Sequence, residues 1–339
     1  MIYFSQVIIS LLPVFLFLWA MTYLDSYKLV RPKKILSIIF VGIVIAIVAH
    51  IINSYLLNNY FKDQLLYTRY ISPIVEETLK CTAIMVLINL RRVGFMVDAA
   101  IYGFAIGSGF AFIENISYLI FIDNYSLLIA GLRGFGTAFM HGGTIAIFAT
   151  ISMNLRNRSY NHSILLFVPG LVVAIILHSG FNHFIISPLI MTIGQILFMP
   201  VMFISIFYRS EIGLKKWLNL NMDTEMTLLE YVNLGSISES KIGVYLQTMK
   251  DIIPGKVMVD IICYLRVYLE LAINAKGRLL LLEAGFKQGY DKELKSKIIE
   301  MKFLQKSIGK TGQLALSPVI RLSNRDLWQI YFISNDLKK

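Results

Sequence analysis

Long apolar runs, separated by short polar stretches, make up the first 208 residues of the chain. A run of about 20 apolar residues is long enough, as an α-helix, to cross a hydrocarbon core about 30 Å thick. We therefore expect an all-α fold, a polytopic bundle of transmembrane helices. The pattern predicts seven spans, with approximate limits 2–24, 35–57, 71–90, 93–122, 126–153, 163–186 and 188–208.

The hydrophobic pattern changes at about residue 210. After that point a charged residue occurs every few positions, and the apolar residues between the charges recur with the period of an amphipathic helix. The segment 257–273 is strongly apolar, but three charged residues interrupt it, which favours a soluble helix over an eighth span. We predict a transmembrane domain over 1–209 and a helical cytoplasmic domain over 210–339. Because no catalytic motif is recognisable in the second domain, we interpret it as an interaction or regulatory module.

The composition agrees with a membrane protein. The chain is 56% hydrophobic with a mean hydropathy of +0.66, which is too apolar for an ordinary soluble domain. We attribute the formal net charge of +11 to basic cytoplasmic loops and expect no nucleic-acid partner. The two cysteines, Cys81 and Cys263, are far apart and predict neither a disulfide framework nor a zinc knuckle. The N-terminus has no basic start and no small-residue cleavage site, so we expect a retained first span.

The polar loops set the predicted orientation. The loops at 25–34, 91–92 and 154–162 carry eight basic residues, whereas the intervening loops carry two. Seven crossings place the three basic loops on one side of the membrane. Because basic loops stay in the cytoplasm, we expect the N-terminus outside and the domain after residue 209 in the cytoplasm.

The third predicted span contains three ionisable residues within five positions, Glu76, Glu77 and Lys80. A charge at the bilayer centre costs roughly 2.5–3.5 kcal/mol on insertion scales, so such residues usually have a function and face a bundle interior or a water-filled cavity. Glu76 and Lys80 are four residues apart, and Glu77 and Lys80 are three apart. Lys80 can therefore neutralise one of the two carboxylates on the same helical face.

Three later spans carry polar residues that can meet this group. The fourth span contains Glu114, the fifth contains His141, and the sixth contains His178 with Asn182 one helical turn later. With the predicted orientation, the glutamates and His178 fall into a similar layer in the outer half of the bilayer, with His141 nearer its middle. Four helices would thus bring two or three carboxylates and two imidazoles together.

Such a layer suits the hydrolysis of an amide bond. Attack by water needs a base that accepts a proton and a group that polarises the carbonyl. Two histidines and a glutamate can also hold zinc, which would activate the water while a second glutamate acts as the base. Asn182 could donate a hydrogen bond to a developing oxyanion. The residues alone leave open whether a metal takes part.

These four segments resemble the PrsW family of bacterial intramembrane proteases over roughly 70–190. The motifs that carry the resemblance are EExxK at Glu76-Glu77-Lys80, FxxxEN at Phe110-Glu114-Asn115, the intramembrane His141, and HxxxN at His178-Asn182. The PrsW family looks related to the CAAX-endopeptidase and bacteriocin-immunity protease group. The chain departs from that wider group, because Lys80 comes one residue earlier than the arginine of the group and Glu114 stands where a histidine would be.

The resemblance implies a function and a set of site residues. It implies hydrolysis of a peptide bond in a membrane-anchored protein, near the extracytoplasmic side of a bacterial cell membrane, with an anti-sigma factor or a similar regulator as a site-1-type substrate. Members of the family have been described both as metalloproteases and as glutamic-type proteases, so the cofactor is either zinc or none. The implied catalytic residues are Glu76, Glu77, His178 and Asn182, and the implied metal ligands are His141, His178 and Glu114.

Two functions of other classes compete with the protease. A proton- or cation-coupled transporter could use the same carboxylates, although the sequence shows neither an inverted repeat nor paired broken helices. A membrane receptor without catalysis could instead act through 210–339, which could bind a cytoplasmic partner.

Overall fold

A computed structural model gives the structure of the protein. It describes residues 12, 15–23, 30, 32–121, 127–158, 163–183, 185–286 and 292–316. All regular elements in these residues are helical, which confirms the all-α prediction. The chain divides into two compact units, Met1–Ser210 and Glu211–Lys339.

The first unit is built from long apolar helices. Its helices are α1 (Pro32–Tyr60), α2 (Ser72–Asn89), α3 (Met96–Phe121), α4 (Leu127–Arg158), α5 (Val168–Asn182) and α6 (Pro188–Asn233), the last of which continues beyond the unit. A short helical turn at Gln64–Leu66 and a π-helical turn at Tyr67–Ile71 lead directly into α2.

Five of the described helices are long and apolar enough to cross a membrane, namely Pro32–Tyr60, Met96–Tyr118, Gly134–Asn157, Ile164–Asn182 and Pro188–Leu214. They account for five of the seven predicted spans. The predicted span 71–90 is helical but carries three charged residues, and most of the predicted span 2–24 lies outside the described residues, apart from a helix over 15–23. The chain is therefore a membrane protein with several crossing helices.

The helices α3 and α4 form the centre of the first unit. Of their apolar spans, 83% and 72% respectively are buried within the protein, against 22–28% for the spans of α1, α5 and α6. The outer helices expose large apolar side chains such as Phe40, Ile176 and Leu197. Exposed apolar surface of this extent is expected of helices that face lipid, whereas polar residues on the central helices are shielded from it.

Glycines let the central helices approach closely. A Cβ atom added at Gly107 of α3 would lie 2.1 Å from the carbonyl oxygen of His141 in α4, and one added at Gly103 would lie 2.6 Å from that of Ile145. Small residues four positions apart are a common way for membrane helices to bring their backbones together. The contact fixes the rotation of α4, and with it the direction of His141.

This contact predicts a stability change. We expect Gly107→Ala to lower the free energy of unfolding by about 1–3 kcal/mol, the usual effect of overpacking a well-packed site. Thermal unfolding in detergent would measure it. Gly194→Ala in α6 is the matched control, because an added Cβ there meets no atom within 4 Å. Equal stability of the two variants would contradict the close approach of α3 and α4.

The second unit has an apolar core of its own. Its helices are the end of α6, α7 (Lys241–Gln247), α8 (Gly255–Glu283), α9 (Lys292–Ser307) and α10 (Gly309–Leu316). α8 buries Ile261, Leu265 and Ala272 against α9 and α10. The side chain of Lys276 is also buried, and its ammonium lies 2.6 Å from the Glu225 carboxylate. The segment predicted to be a soluble amphipathic helix is thus part of α8. Its charged residue Arg266 is exposed, and Asp260 and Glu270 are half-buried.

Candidate active site

The helix α2 presents its ionisable residues on a buried face. Its buried positions are Pro73, Glu77, Lys80, Cys81, Ile84 and Ile88, which recur every three or four residues. Glu77 and Lys80 are 0% exposed, so both charges lie fully inside the protein. Such charges are tolerated only if they are paired and hydrogen-bonded.

Lys80 is the centre of the buried cluster. Its ammonium nitrogen lies 2.5 Å from Oε1 of Glu77, 2.9 Å from Nδ1 of His141 and 4.4 Å from the centre of the Phe110 ring. The predicted pairing of Lys80 with a glutamate is thus made with Glu77. Because an ammonium group can only donate, Nδ1 of His141 must accept, which assigns the proton of this imidazole to Nε2.

The other nitrogen of His141 faces Glu114. The distance from Nε2 of His141 to Oε2 of Glu114 is 2.5 Å, which suits a hydrogen bond from the ring N–H to a carboxylate. The Glu114 side chain is about one-third exposed, at 31%, while His141 is fully buried. Glu114 therefore joins the cluster at its more accessible side and shares His141 with Lys80.

Glu77 also orients the second histidine. Nδ1 of His178 lies 2.7 Å from the Oε1 atom of Glu77 that Lys80 contacts. The ring N–H at Nδ1 donates to the carboxylate, which leaves the lone pair of Nε2 available on the other side of the ring. Oε2 of Glu77 is buried and has no hydrogen-bond partner among the described residues. Glu77 thus fixes both a cation and an imidazole with one oxygen and keeps the other oxygen free.

Glu76 lies on the other side of His178. Its Oε2 is 3.9 Å from Nε2 of His178, which is too long for a direct hydrogen bond and leaves a gap that a water or an ion can bridge. Its Oε1 accepts hydrogen bonds from Ser72 at 2.6 Å and from Asn53 at 3.0 Å. Asn53 in turn accepts a hydrogen bond from the Tyr67 hydroxyl at 2.8 Å.

Sequence reasoning missed three of these partners, Asn53, Ser72 and Tyr67. Asn53 offered a signal, since it is an amide inside an otherwise apolar span. Tyr67 and Ser72 offered none, because Tyr67 lies between two predicted spans and Ser72 lies at the very start of the predicted span 71–90. Together they hold one oxygen of Glu76 and so direct the other oxygen towards His178.

The described residues include one set of side chains that could hold a metal ion, formed by Glu76, His141 and His178. Their ligand atoms all lie within 4.8 Å of one another. Two imidazoles and one carboxylate are the ligand types of many catalytic zinc sites, where a fourth position stays open for water. The set differs from the predicted ligands in that Glu76 joins the two histidines, whereas Glu114 lies next to His141.

The hydrogen bonds of the two histidines bear on this fit. His178 matches the arrangement in which a metal-binding imidazole donates its other N–H to a carboxylate, since Glu77 holds its Nδ1. His141 has both ring nitrogens engaged, by Lys80 and by Glu114, so it can bind a metal only after one of them moves. The donor set therefore fits zinc, with His178 ready to bind and His141 requiring a rearrangement.

Asn182 is the last residue of α5, one helical turn after His178. Its amide donates to the carbonyl of Thr68 at 2.9 Å, and the neighbouring Ser179 hydroxyl donates to the carbonyl of Arg69 at 2.6 Å. These bonds join the end of α5 to the π-helical turn before α2. An amide NH₂ group has two hydrogens, so one donor of Asn182 is left after the bond to Thr68.

Comparison with known proteins identifies the family. A family model described as "PrsW family intramembrane metalloprotease" matches residues 31–207. No curated protein and no solved structure matches the chain. Because the match covers more than half of the 339 residues, the chain belongs to the PrsW family, and the protein is an intramembrane protease. A transporter is not favoured.

Proposed function

We propose that this PrsW-family protease hydrolyses a peptide bond of a membrane-anchored protein near the extracytoplasmic side of a bacterial cell membrane. The observation that carries the proposal is the buried set of Glu76, His141 and His178, which is linked to Glu77 and Lys80 by hydrogen bonds. Glu76, with Glu77, lies within the first two turns of α2, which begins at Ser72. With the N-terminus outside, as the basic loops predict, these turns are close to the outer surface.

We assign the nucleophilic water to the gap between Glu76 and His178. The lone pair at Nε2 of His178 and Oε2 of Glu76 face each other across 3.9 Å, so a water between them could be bound by both. Attack of this water on the substrate carbonyl forms the new C–O bond, and Glu76 accepts the proton that the water loses. The C–N bond then breaks as this proton passes to the leaving amine. Glu76 and His178 are therefore the catalytic residues of the proposal.

The remaining residues support this step. Glu77 holds His178 in one orientation and balances positive charge on its ring, while the ammonium of Lys80 pairs with Glu77. The free N–H of Asn182 is suited to an oxyanion that forms at the mouth of the site. Zinc held by Glu76, His141 and His178 would supply activation of the water and polarisation of the carbonyl. In that case Glu76 is a ligand, and Oε2 of Glu77 is a free proton acceptor.

The substrate class follows from the family resemblance. We propose a single-span regulator, such as an anti-sigma factor, that is cut next to its membrane segment in a site-1-type cleavage. Substrate trapping tests this, with the full chain carrying Glu76→Gln and purified beside the wild type. We expect a membrane-anchored protein to copurify with the variant in uncut form. In cells that carry the wild type, the same protein should be found in a shortened form. If no membrane protein is shortened in a way that depends on Glu76, the proposed function is wrong.

A positioning role of Asn53 gives a second prediction. We expect Asn53→Ala to lower kcat for the trapped substrate about 10-fold, since one hydrogen bond to a charged group contributes about 1.5–3 kcal/mol. KM should change little, because Asn53 contacts Glu76 and not the proposed substrate path. Asn59→Ala in the same helix is the matched control, since Asn59 donates only to the carbonyl of Tyr55 in its own helix. A rise in KM with unchanged kcat would assign Asn53 to substrate binding instead.

A further inference from the structure

The outer face of α9 combines lysines with exposed apolar side chains. We define this face by Lys292, Lys295, Ile299, Lys302, Phe303 and Lys306, all of which are exposed. At about 100° per residue, these six positions fall within about 60° on either side of Ile299. The buried residues of α9, among them Leu294 and Met301, lie on the opposite side and pack on the core of the second unit.

The charged residues of α9 differ between its two sides. Glu293 and Glu300 lie about 100° or more around the helix from Ile299. The lysine on that side, Lys297, is neutralised by Glu293 at 3.0 Å and by Glu270 at 3.2 Å, and these bonds raise its pKa. By contrast, the four lysines of the outer face form no ion pair with any residue that the structure describes.

Two large apolar residues lie among these unpaired lysines. Ile299 is 61% exposed and Phe303 is 70% exposed, so neither contributes much to the core of the unit. Next to them, Lys302, Lys306 and Lys310 line a shallow depression of about 590 Å³. A single exposed apolar residue is ordinary, but two on a face that is otherwise basic form the pattern of helices that lie in a membrane interface.

We propose that this face of α9 binds the surface of an anionic bilayer. The lysines, with Lys310, would contact lipid phosphates, and Ile299 and Phe303 would enter the headgroup region. The charge is complementary to anionic lipid, and each lysine near such a surface strengthens binding about fivefold. Along the chain, the second unit follows directly on a helix that is long and apolar enough to cross a membrane, so it is tethered to a bilayer. The proposal does not depend on the proteolytic function.

Quenching of an introduced tryptophan tests the proposal in the full chain. Phe303→Trp would be reconstituted in nanodiscs of brominated lipid, either zwitterionic phosphatidylcholine alone or mixed with anionic phosphatidylglycerol, and the signal of the parent chain subtracted. We expect quenching of the added indole in the anionic discs, with loss of quenching at high salt. Adding Lys302→Glu and Lys306→Glu should weaken the binding to anionic lipid that the quenching reports at least 10-fold, because each lysine strengthens it about fivefold.

Matched controls distinguish the face from general surface charge. Lys250→Glu with Lys256→Glu alters the net charge equally at other exposed lysines and should leave the quenching unchanged. Ile252→Trp, at an exposed position outside α9, should be quenched less than Phe303→Trp. Equal quenching in both kinds of disc, or equal effects of the two lysine pairs, would overturn the proposal. Salt-sensitive binding of a nucleic acid or an acidic protein without quenching would overturn it as well and assign the face to that partner.

Discussion

Glu76→Gln should reduce the rate of substrate cleavage by a factor of about 10² to 10⁴ while leaving the fold intact. A positioned general acid or base commonly contributes a factor of this size. Glutamine keeps the shape of the side chain and can still accept hydrogen bonds from Ser72 and Asn53, but it can neither accept a proton nor bind a metal as an anion. Cleavage of a trapped substrate by the reconstituted variant would measure the loss.

Glu77→Gln is the informative comparison for this variant. Glu77 is bound by the buried ammonium of Lys80 and by His178, so its loss leaves a buried cation without its counter-charge. Removing one partner of a buried ion pair costs about 3–5 kcal/mol of stability. We therefore expect thermal unfolding to show a clear loss for Glu77→Gln and little change for Glu76→Gln, since no described cation contacts Glu76 within 3.5 Å. Full cleavage by Glu76→Gln would remove this residue from the proposed reaction.

Adding Lys80→Met to Glu77→Gln separates stability from orientation. The double variant removes both charges of the buried pair, so the stability that Glu77→Gln loses should return in part. Activity should stay low, because His178 then lacks the carboxylate that orients its ring. Recovery of activity together with stability would show that Glu77 matters only as the partner of Lys80.

The sequence predicted the residues of the cluster better than it predicted their partners. Helical spacing placed Lys80 next to a glutamate, and the four polar segments meet across α2, α3, α4 and α5. Spacing along one helix cannot give the rotation of its neighbours, which here depends on backbone contacts such as Gly107 against His141. That rotation decides whether Glu76 or Glu114 completes a ligand set with both histidines.

The sequence also did not predict the helical turns that precede α2. The predicted spans 35–57 and 71–90 leave a loop between them, but the chain is already helical from Gln64 and passes through a π-helical turn before Ser72. This turn presents the Tyr67 hydroxyl to Asn53 and the carbonyl of Thr68 to Asn182. A π-helical turn has no simple sequence pattern and often marks a functional region, so its role emerges only from the packing.

The buried charges form one connected system. Glu114, His141, Lys80, Glu77 and His178 are joined in that order by contacts of 2.5–2.9 Å. Each of these five side chains has a neighbour in the series that offsets the cost of its desolvation. Glu76 alone is linked by neutral donors and faces the gap at His178. The arrangement agrees with our proposal that Glu76 and His178 react while the other groups of the series hold them in place.

Removal of the metal is expected to abolish cleavage. We predict that the purified chain carries about one zinc ion in a site of the catalytic type, with three protein ligands, and that a chelator removes the zinc and the activity together. Metal analysis of the protein gives a readout that does not depend on activity. A metal-free preparation with full activity would exclude zinc and assign the chemistry to Glu76 and His178 acting without it.

Variants then distinguish the two possible ligand sets, in which either Glu76 or Glu114 binds the metal together with His141 and His178. His178→Ala should lose most of the zinc, and Glu77→Gln should weaken zinc binding about 10- to 100-fold, as loss of a carboxylate behind a ligating histidine usually does. Glu114→Gln decides between the sets. If Glu76, His141 and His178 bind the metal, this variant should keep its zinc, because a glutamine releases Nε2 of His141 more readily than a carboxylate does. Loss of zinc in Glu114→Gln, with zinc retained in Glu76→Gln, would instead establish Glu114 as the third ligand and leave Glu76 free as the base.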